Sequence, residues 1–128
     1  MKISSKLLNL IKQSTSFIIA GHINPEGDSI GSCLAFALGL KKMGKKEICV
    51  FSRDPVPENL KFLPSAHTVR QKLPRKEFDV LFLIDCNTME RTGVDVFRAK
   101  RTAIIDHHLL PPDAATSEFY KSVSASLI

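Results

Sequence analysis

The run Phe78–Ile84 (FDVLFLI) constrains this chain more than any other segment. A strand with one face in water would alternate apolar and polar residues. This run carries a single polar residue, Asp79, so both of its faces must be covered. Seven residues ending at an aspartate are too few for a typical helix, which makes the run a buried strand of a parallel sheet. Shorter runs of the same kind occur at Phe17–Ala20, at residues 47–52 and at Arg101–Ile105. Between them the period changes. Ile3, Leu7, Leu10 and Ile11 predict an amphipathic helix over residues 3–13. Ile30, Leu34, Ala37 and Leu38 predict another, stopped at Gly44. The alternation predicts an α/β class, a three-layer domain with a mainly parallel sheet.

The remaining segments are less regular. Three prolines between Asp54 and Pro64 predict a loop with one helical turn at Glu58–Phe62. His67–Arg70 reads as a short strand, Met89–Lys100 as short helical turns, and Ala114–Leu127 as a final helix. No repeat, low-complexity tract or interdomain linker interrupts the 128 residues, a length that suits one domain. The apolar share of 44% is enough for a core at this size. A net charge of +5 suits anionic ligands, and equally an ordinary solvated surface. Cys33, Cys49 and Cys86 sit in apolar stretches without CxxC spacing, as buried thiols of a reducing cytosol do. Asn9, Lys12 and Gln13 interrupt the N-terminal apolar run, which excludes a good signal peptide. No stretch approaches the roughly 18 apolar residues of a membrane span. The expected location is the cytoplasm, with no membrane partner.

In parallel α/β sheets, ligands bind beyond the carboxyl ends of the strands. Three of the predicted strands end in reactive residues: the first in Gly21-His22, the third in Asp85, the fourth in Asp106-His107-His108. One aspartate after a strand is commonly only a turn cap, but three such ends at one sheet edge form a constellation. The first loop adds Glu26 and Asp28 to His22 within seven residues, and Asn24, Pro25 and Gly27 can fold it back. Imidazole mixed with carboxylates suits Mn2+, and also iron, zinc or cobalt, whereas Mg2+ prefers oxygen alone. Two ions about 3.5–4 Å apart need a bridging carboxylate, a role Asp85 can fill. The helix expected to start near Ser29, with Asp28 or Ser29 as its N-cap, would put Gly31 and Ser32 in its first turn. Their backbone amides would then cradle a phosphate.

These residues resemble a known family. HINPEGDSIGS (His22–Ser32) resembles the first motif of the DHH phosphoesterases, usually HxxPDxDxxGS. Asp106-His107-His108 resembles the triplet that names the family, and Asp85 in LFLIDCNTMERTG stands in the place of its second motif. The resemblance covers roughly residues 15–110. NPEGDSIGS and the run from Asp85 to Gly93 resemble most closely the nano-RNase group. Those enzymes degrade very short RNA oligonucleotides, and many dephosphorylate 3′-phosphoadenosine 5′-phosphate.

The resemblance implies two Mn2+ ions, with Mg2+, Co2+ or Fe2+ as alternatives. One would be held by His22, Glu26 and Asp85, the other by Asp28, Asp85 and His107. It implies that His108 contacts the scissile phosphate, that Asp106 orients the histidines, and that Arg91 meets substrate phosphate. The implied partners are short RNA or nucleotide phosphates, and a homodimer is compatible with it.

The sequence departs from the pattern in three places. Glu26 replaces the usual aspartate and reaches one methylene further. DHHLL runs directly into PPDAATSE, where relatives place a longer loop and a strand. The fourth-motif aspartate and the C-terminal substrate-binding domain are not in these 128 residues, so the expectation is an N-terminal catalytic domain cut short. Pyrophosphate, cyclic dinucleotides or longer single-stranded DNA are the alternative substrates. The scarcity of aromatics (eight Phe, one Tyr, no Trp) weighs against an extended single-strand groove. A non-catalytic nucleotide-binding domain is the reading from another class.

Overall fold

The computed structural model describes residues 3–86, 88–94 and 96–105. The elements run α1 (Ile3–Gln13), β1 (Ser16–Ala20), α2 (Gly27–Lys42), β2 (Glu47–Phe51), β3 (Phe78–Ile84) and β4 (Ala99–Ile105), with 3-10 turns at Glu58–Leu60, Ala66–Thr68 and Glu90–Thr92. The four strands form one parallel sheet in the order β2-β1-β3-β4. The class is therefore α/β, as the alternation of periods predicts.

Both faces of the central strands are covered, which explains the unbroken apolar run of β3. On one face, Ile30, Cys33, Leu34, Ala37 and Leu40 of α2 pack with Phe17, Ile19, Val80, Phe82 and Ile84, joined by Leu10 and Ile11 of α1. Phe82 sits at the centre of this layer, its ring 4.7 Å from Phe36 and 6.2 Å from Phe17. Truncating such a fully buried ring costs about 3–5 kcal/mol. The other face is covered by loop residues, with Cys86 and Phe97 against Ile18, Leu81, Leu83 and Ile104. This third layer contains no helix among the described residues.

Helix α2 stops where the sequence indicates. Gly44 takes φ +90, Lys45 N–H donates to the Leu40 carbonyl (3.1 Å) and Gly44 N–H to that of Lys41 (2.9 Å). These two bonds satisfy orphan carbonyls at the helix end, and the left-handed turn they need favours glycine.

Three expectations change. Residues 67–70 are not a strand: a 3-10 turn occupies Ala66–Thr68, and Arg70 makes a lone parallel bridge to Phe51. β4 starts two residues early and is only half buried, with Lys100 and Arg101 in solvent. It has no further strand beside it among the described residues, so its outer edge does not require apolar residues. Helix α2 begins at Gly27, not near Ser29. The predicted helix Ala114–Leu127 lies outside the described residues. No described helix is long and apolar enough to cross a membrane.

The strand order fixes where a site can form. From β1 the chain crosses to one side to make β2, then to the other to make β3. Crossover loops at the carboxyl ends of β1 and β3 therefore diverge and leave a crevice between them. Ala20 pairs with Leu83, so the residues that follow, Gly21-His22 and Asp85, open into that crevice together.

Candidate metal centre

Gly21 lets the end of β1 approach its neighbours closely. A Cβ there would lie 2.5 Å from Ser29 Oγ and 3.4 Å from the Ile84 carbonyl oxygen. His22 follows and is buried. Its Nδ1 lies 2.7 Å from the Ile23 carbonyl oxygen, which can only accept. Nδ1 therefore carries the proton, and the Nε2 lone pair points the other way.

Two carboxylates face that lone pair. Nε2 is 3.7 Å from Glu26 Oε1 and 3.8 Å from Asp85 Oδ2, and one ligand atom from each of the three residues lies within 4.8 Å of the others. Donors about 2.1 Å from a shared ion stand roughly 3.0–3.5 Å apart. The two histidine–carboxylate pairs thus need to contract by only a few tenths of an ångström, and the three donors together, within 4.8 Å, by about 1 Å at most, to hold a divalent cation. Its chemistry fits one as well: a neutral imidazole whose other nitrogen is already committed, and two anionic oxygens.

Each donor is set by its element. Glu26 is the N-cap of α2, with extended backbone and no side-chain capping bond. Its carboxylate is thereby left available to the crevice, and the sequence expectation that Asp28 or Ser29 caps the helix is corrected. Asp85 ends β3 in the left-handed region, φ +55, and is buried. Its N–H donates to the Ile105 carbonyl, 2.9 Å away, so β3 and β4 stay paired up to the site. A non-glycine residue held in this region costs of order 1 kcal/mol, and such costs concentrate at functional sites. Cys33 lies beneath Gly21. Burial, and secondarily the Asp85 carboxylate, pushes its thiol up to about 12. It remains a protonated thiol and offers no thiolate ligand.

The grouping unites His22, Glu26 and Asp85. Asp28 is exposed in the first turn of α2 and is not part of it. Asp106, His107 and His108 lie outside the described residues; they directly follow Ile105, whose carbonyl reaches Asp85. Arg91 is exposed, and its carbonyl accepts from Ile23 N–H (2.7 Å), so its backbone braces the first loop. Gly31 and Ser32 fall in the second turn because α2 starts early. Helix geometry commits their amides to carbonyls one turn back. The amides without a helical acceptor are those of the first turn, from Gly27.

Sequence reasoning missed Asp54. Its Oδ2 accepts from Asn24 N–H at 2.8 Å, in the middle of the His22–Glu26 loop. Its place at the same edge, soon after the end of β2, is legible in the sequence, but its partner is not.

Fold and site together define a class: a parallel α/β domain with an imidazole–carboxylate cluster at its topological switch point. A family model described as the N-terminal domain of the DHH family matches residues 16–126, and the chain belongs to that family. Curated relatives include two proteins named "Probable manganese-dependent inorganic pyrophosphatase". That of Lactobacillus acidophilus is 28% identical over 95 residues, covering 70% of this chain and 30% of the relative. That of Lactobacillus gasseri is 30% identical, covering 71% and 30%. A third protein of the same name, from Enterococcus faecalis, is 26% identical and covers 73% and 32%. The chain thus spans about a third of the length of these relatives. A crystal structure of an exopolyphosphatase-related protein from Bacteroides fragilis superposes with a TM-score of 0.76 at 24% identity, over 90% of this chain and 37% of that one. At that identity the likeness speaks for the fold.

Proposed function

We propose that this chain is the N-terminal catalytic part of a Mn2+-dependent phosphohydrolase acting on short oligoribonucleotides, 3′-phosphoadenosine 5′-phosphate, or both. The observation that carries the reading is the His22 ring: Nδ1 is bound to a carbonyl and Nε2 faces two carboxylates. With Nδ1 on a carbonyl, the ring leaves Nε2 and two carboxylate oxygens together as a donor set for a cation. The relatives named manganese-dependent support the choice of metal.

In this reading His22, Glu26 and Asp85 hold one ion, and Asp28, Asp85 and His107 hold the other. When bound, the pair supplies Lewis acidity, which acidifies a water nucleophile and offsets phosphate charge. The chain's own groups do the rest. First-turn amides of α2 face the phosphate with the positive end of the helix dipole. His108 donates to the scissile phosphate as its charge grows. Asp106 orients the histidines, and Arg91 meets a second phosphate.

A second reading keeps the site and changes the substrate to pyrophosphate, which the names of the curated relatives favour. One assay tests both. The intact protein is supplied with Mn2+ and offered a three-nucleotide RNA, 3′-phosphoadenosine 5′-phosphate or pyrophosphate, beside an Asp85→Ala control. Turnover of either of the first two supports the leading reading. Turnover of pyrophosphate alone replaces it with the second. No turnover of any, or a control as active as the parent, removes the catalytic site as described.

A further inference from the structure

We propose that Asp54 is a positioning residue that fixes the tautomer and ring orientation of His22 through one intervening peptide group. The proposal rests on reading His22 as a metal ligand. The Ile23 carbonyl that accepts from His22 Nδ1 (2.7 Å) and the Asn24 N–H that donates to Asp54 Oδ2 (2.8 Å) belong to the same peptide unit. That unit is planar and trans, so its C=O and N–H point in opposite directions and rotate together. Anchoring the N–H at Asp54 therefore aims the carbonyl at the imidazole. The chain of contacts runs carboxylate, peptide, imidazole, Nε2. It is the carboxylate–histidine–metal arrangement with a peptide inserted, and hydrogen bonds in such a chain polarise one another.

Three further features support the role. The Asp54 carboxylate reaches beyond its own turn, to a backbone N–H 30 positions away. It is presented on a braced segment. The Asp54 carbonyl accepts from Ser52 Oγ (2.8 Å), and Ser52 is buried with its N–H on the Arg70 carbonyl (3.0 Å). Asn24 itself takes φ +54, a left-handed turn that asparagine tolerates, so the loop turns at the residue whose N–H Asp54 accepts from. The neighbouring peptide is pinned separately, Ile23 N–H to the Arg91 carbonyl at 2.7 Å. Asp54 thus holds the peptide whose carbonyl meets the ring.

The test compares the intact parent with Asp54→Ala, Asp54→Asn and His22→Ala. Long-range proton–nitrogen NMR of the metal-free protein reads the His22 tautomer. Calorimetric titration with Mn2+ reads affinity, and thermal melting reads stability. The parent is expected to carry its proton on Nδ1. Asp54→Ala should lose that preference and bind Mn2+ about 10–100-fold more weakly. Asp54→Asn keeps an oxygen acceptor and should keep the tautomer, with affinity within about threefold of the parent. An Asp54→Ala protein with the parent's tautomer and affinity overturns the proposal. So does an Asp54→Asn protein as impaired as Asp54→Ala, with both melting early. If the tautomer moves as expected while parent and His22→Ala bind Mn2+ equally poorly, the positioning role stands and the metal reading falls.

Discussion

Gly21 offers the most direct test of how the chain builds its site. Alanine there places a methyl carbon 2.5 Å from Ser29 Oγ, 3.4 Å from the Ile84 carbonyl oxygen and 3.7 Å from Cys33 Sγ. Carbon and oxygen rest about 3.5 Å apart, so the hydroxyl must yield by about 1 Å. Ser29 is buried, and its Oγ has no hydrogen-bond partner among the described residues. Among the described residues the hydroxyl is held by packing alone, and the Ile84 carbonyl lies at the end of the sheet and has little room to give way. Overpacking of this kind costs about 1–3 kcal/mol. At roughly 4 °C per kcal/mol for a domain of this size, the melting temperature should fall by about 4–12 °C.

Ser29→Ala supplies the control. It removes both the obstructing oxygen and a buried hydroxyl that lacks a partner, so alone it should be close to neutral or mildly stabilising. In that background Gly21→Ala should cost less than about 1 kcal/mol, giving a coupling of about 1 kcal/mol or more in a double-mutant cycle. Circular dichroism melts and urea titrations of the four proteins measure it. If Gly21→Ala melts within a degree of its parent in both backgrounds, the close approach at the end of β1 is wrong, and with it the position assigned to His22.

Other outcomes follow from the same geometry. Asp85→Asn should weaken Mn2+ binding by more than about 100-fold, since even outer partners of a metal site cost 10–100-fold; its metal-free stability should stay within about 1 kcal/mol because asparagine tolerates φ +55. Mn2+ at about a hundred times its Kd should raise stability by about 2.7 kcal/mol, a gain that a chelator removes and that His22→Ala never shows. The Thr15 backbone N–H, 2.7 Å from Asp79 Oδ2, is the main cause holding that carboxyl below its usual range, with Lys100 helping from 3.6 Å. A depressed pKa stabilises above the unfolded value of about 3.9 and loses its contribution as pH falls through the folded one. Asp79→Ala should therefore cost about 1 kcal/mol at neutral pH, and the gap between the two melting curves should narrow as pH falls through and below the ordinary carboxylate range; a gap independent of pH refutes the assignment. Gly93→Ala combines φ +75 with a Cβ 2.6 Å from Arg53 Cδ and 2.7 Å from Ile23 Cγ2, so it should destabilise by at least about 1 kcal/mol, and an unchanged melt would contradict that packing.

What the sequence disclosed and what it hid separate along a physical line. The strands of β1, β2 and β3 were legible because burial on both faces leaves an unbroken apolar run, and the edge to search followed from parallel topology alone. His22 and Asp85 needed nothing more, since each stands within two residues of a strand end. The start of α2 was misplaced because apolar periodicity begins at Ile30, whereas the helix begins wherever the backbone first turns, and Gly27 and Asp28 carry no period. That shift of two residues moved Gly31 and Ser32 out of the first turn, and it made Glu26 the N-cap. The family departure at Glu26 then has a simple geometry. Its side chain is 70% exposed, yet Oε1 stands 3.7 Å from His22 Nε2. A residue leaving the helix start on the solvent side has farther to travel to the crevice, and the additional methylene of glutamate covers that distance. Asp54 stayed hidden for the opposite reason. Its partner is a backbone N–H thirty residues earlier, and no pattern in side chains reports which amide a folded loop will leave facing it.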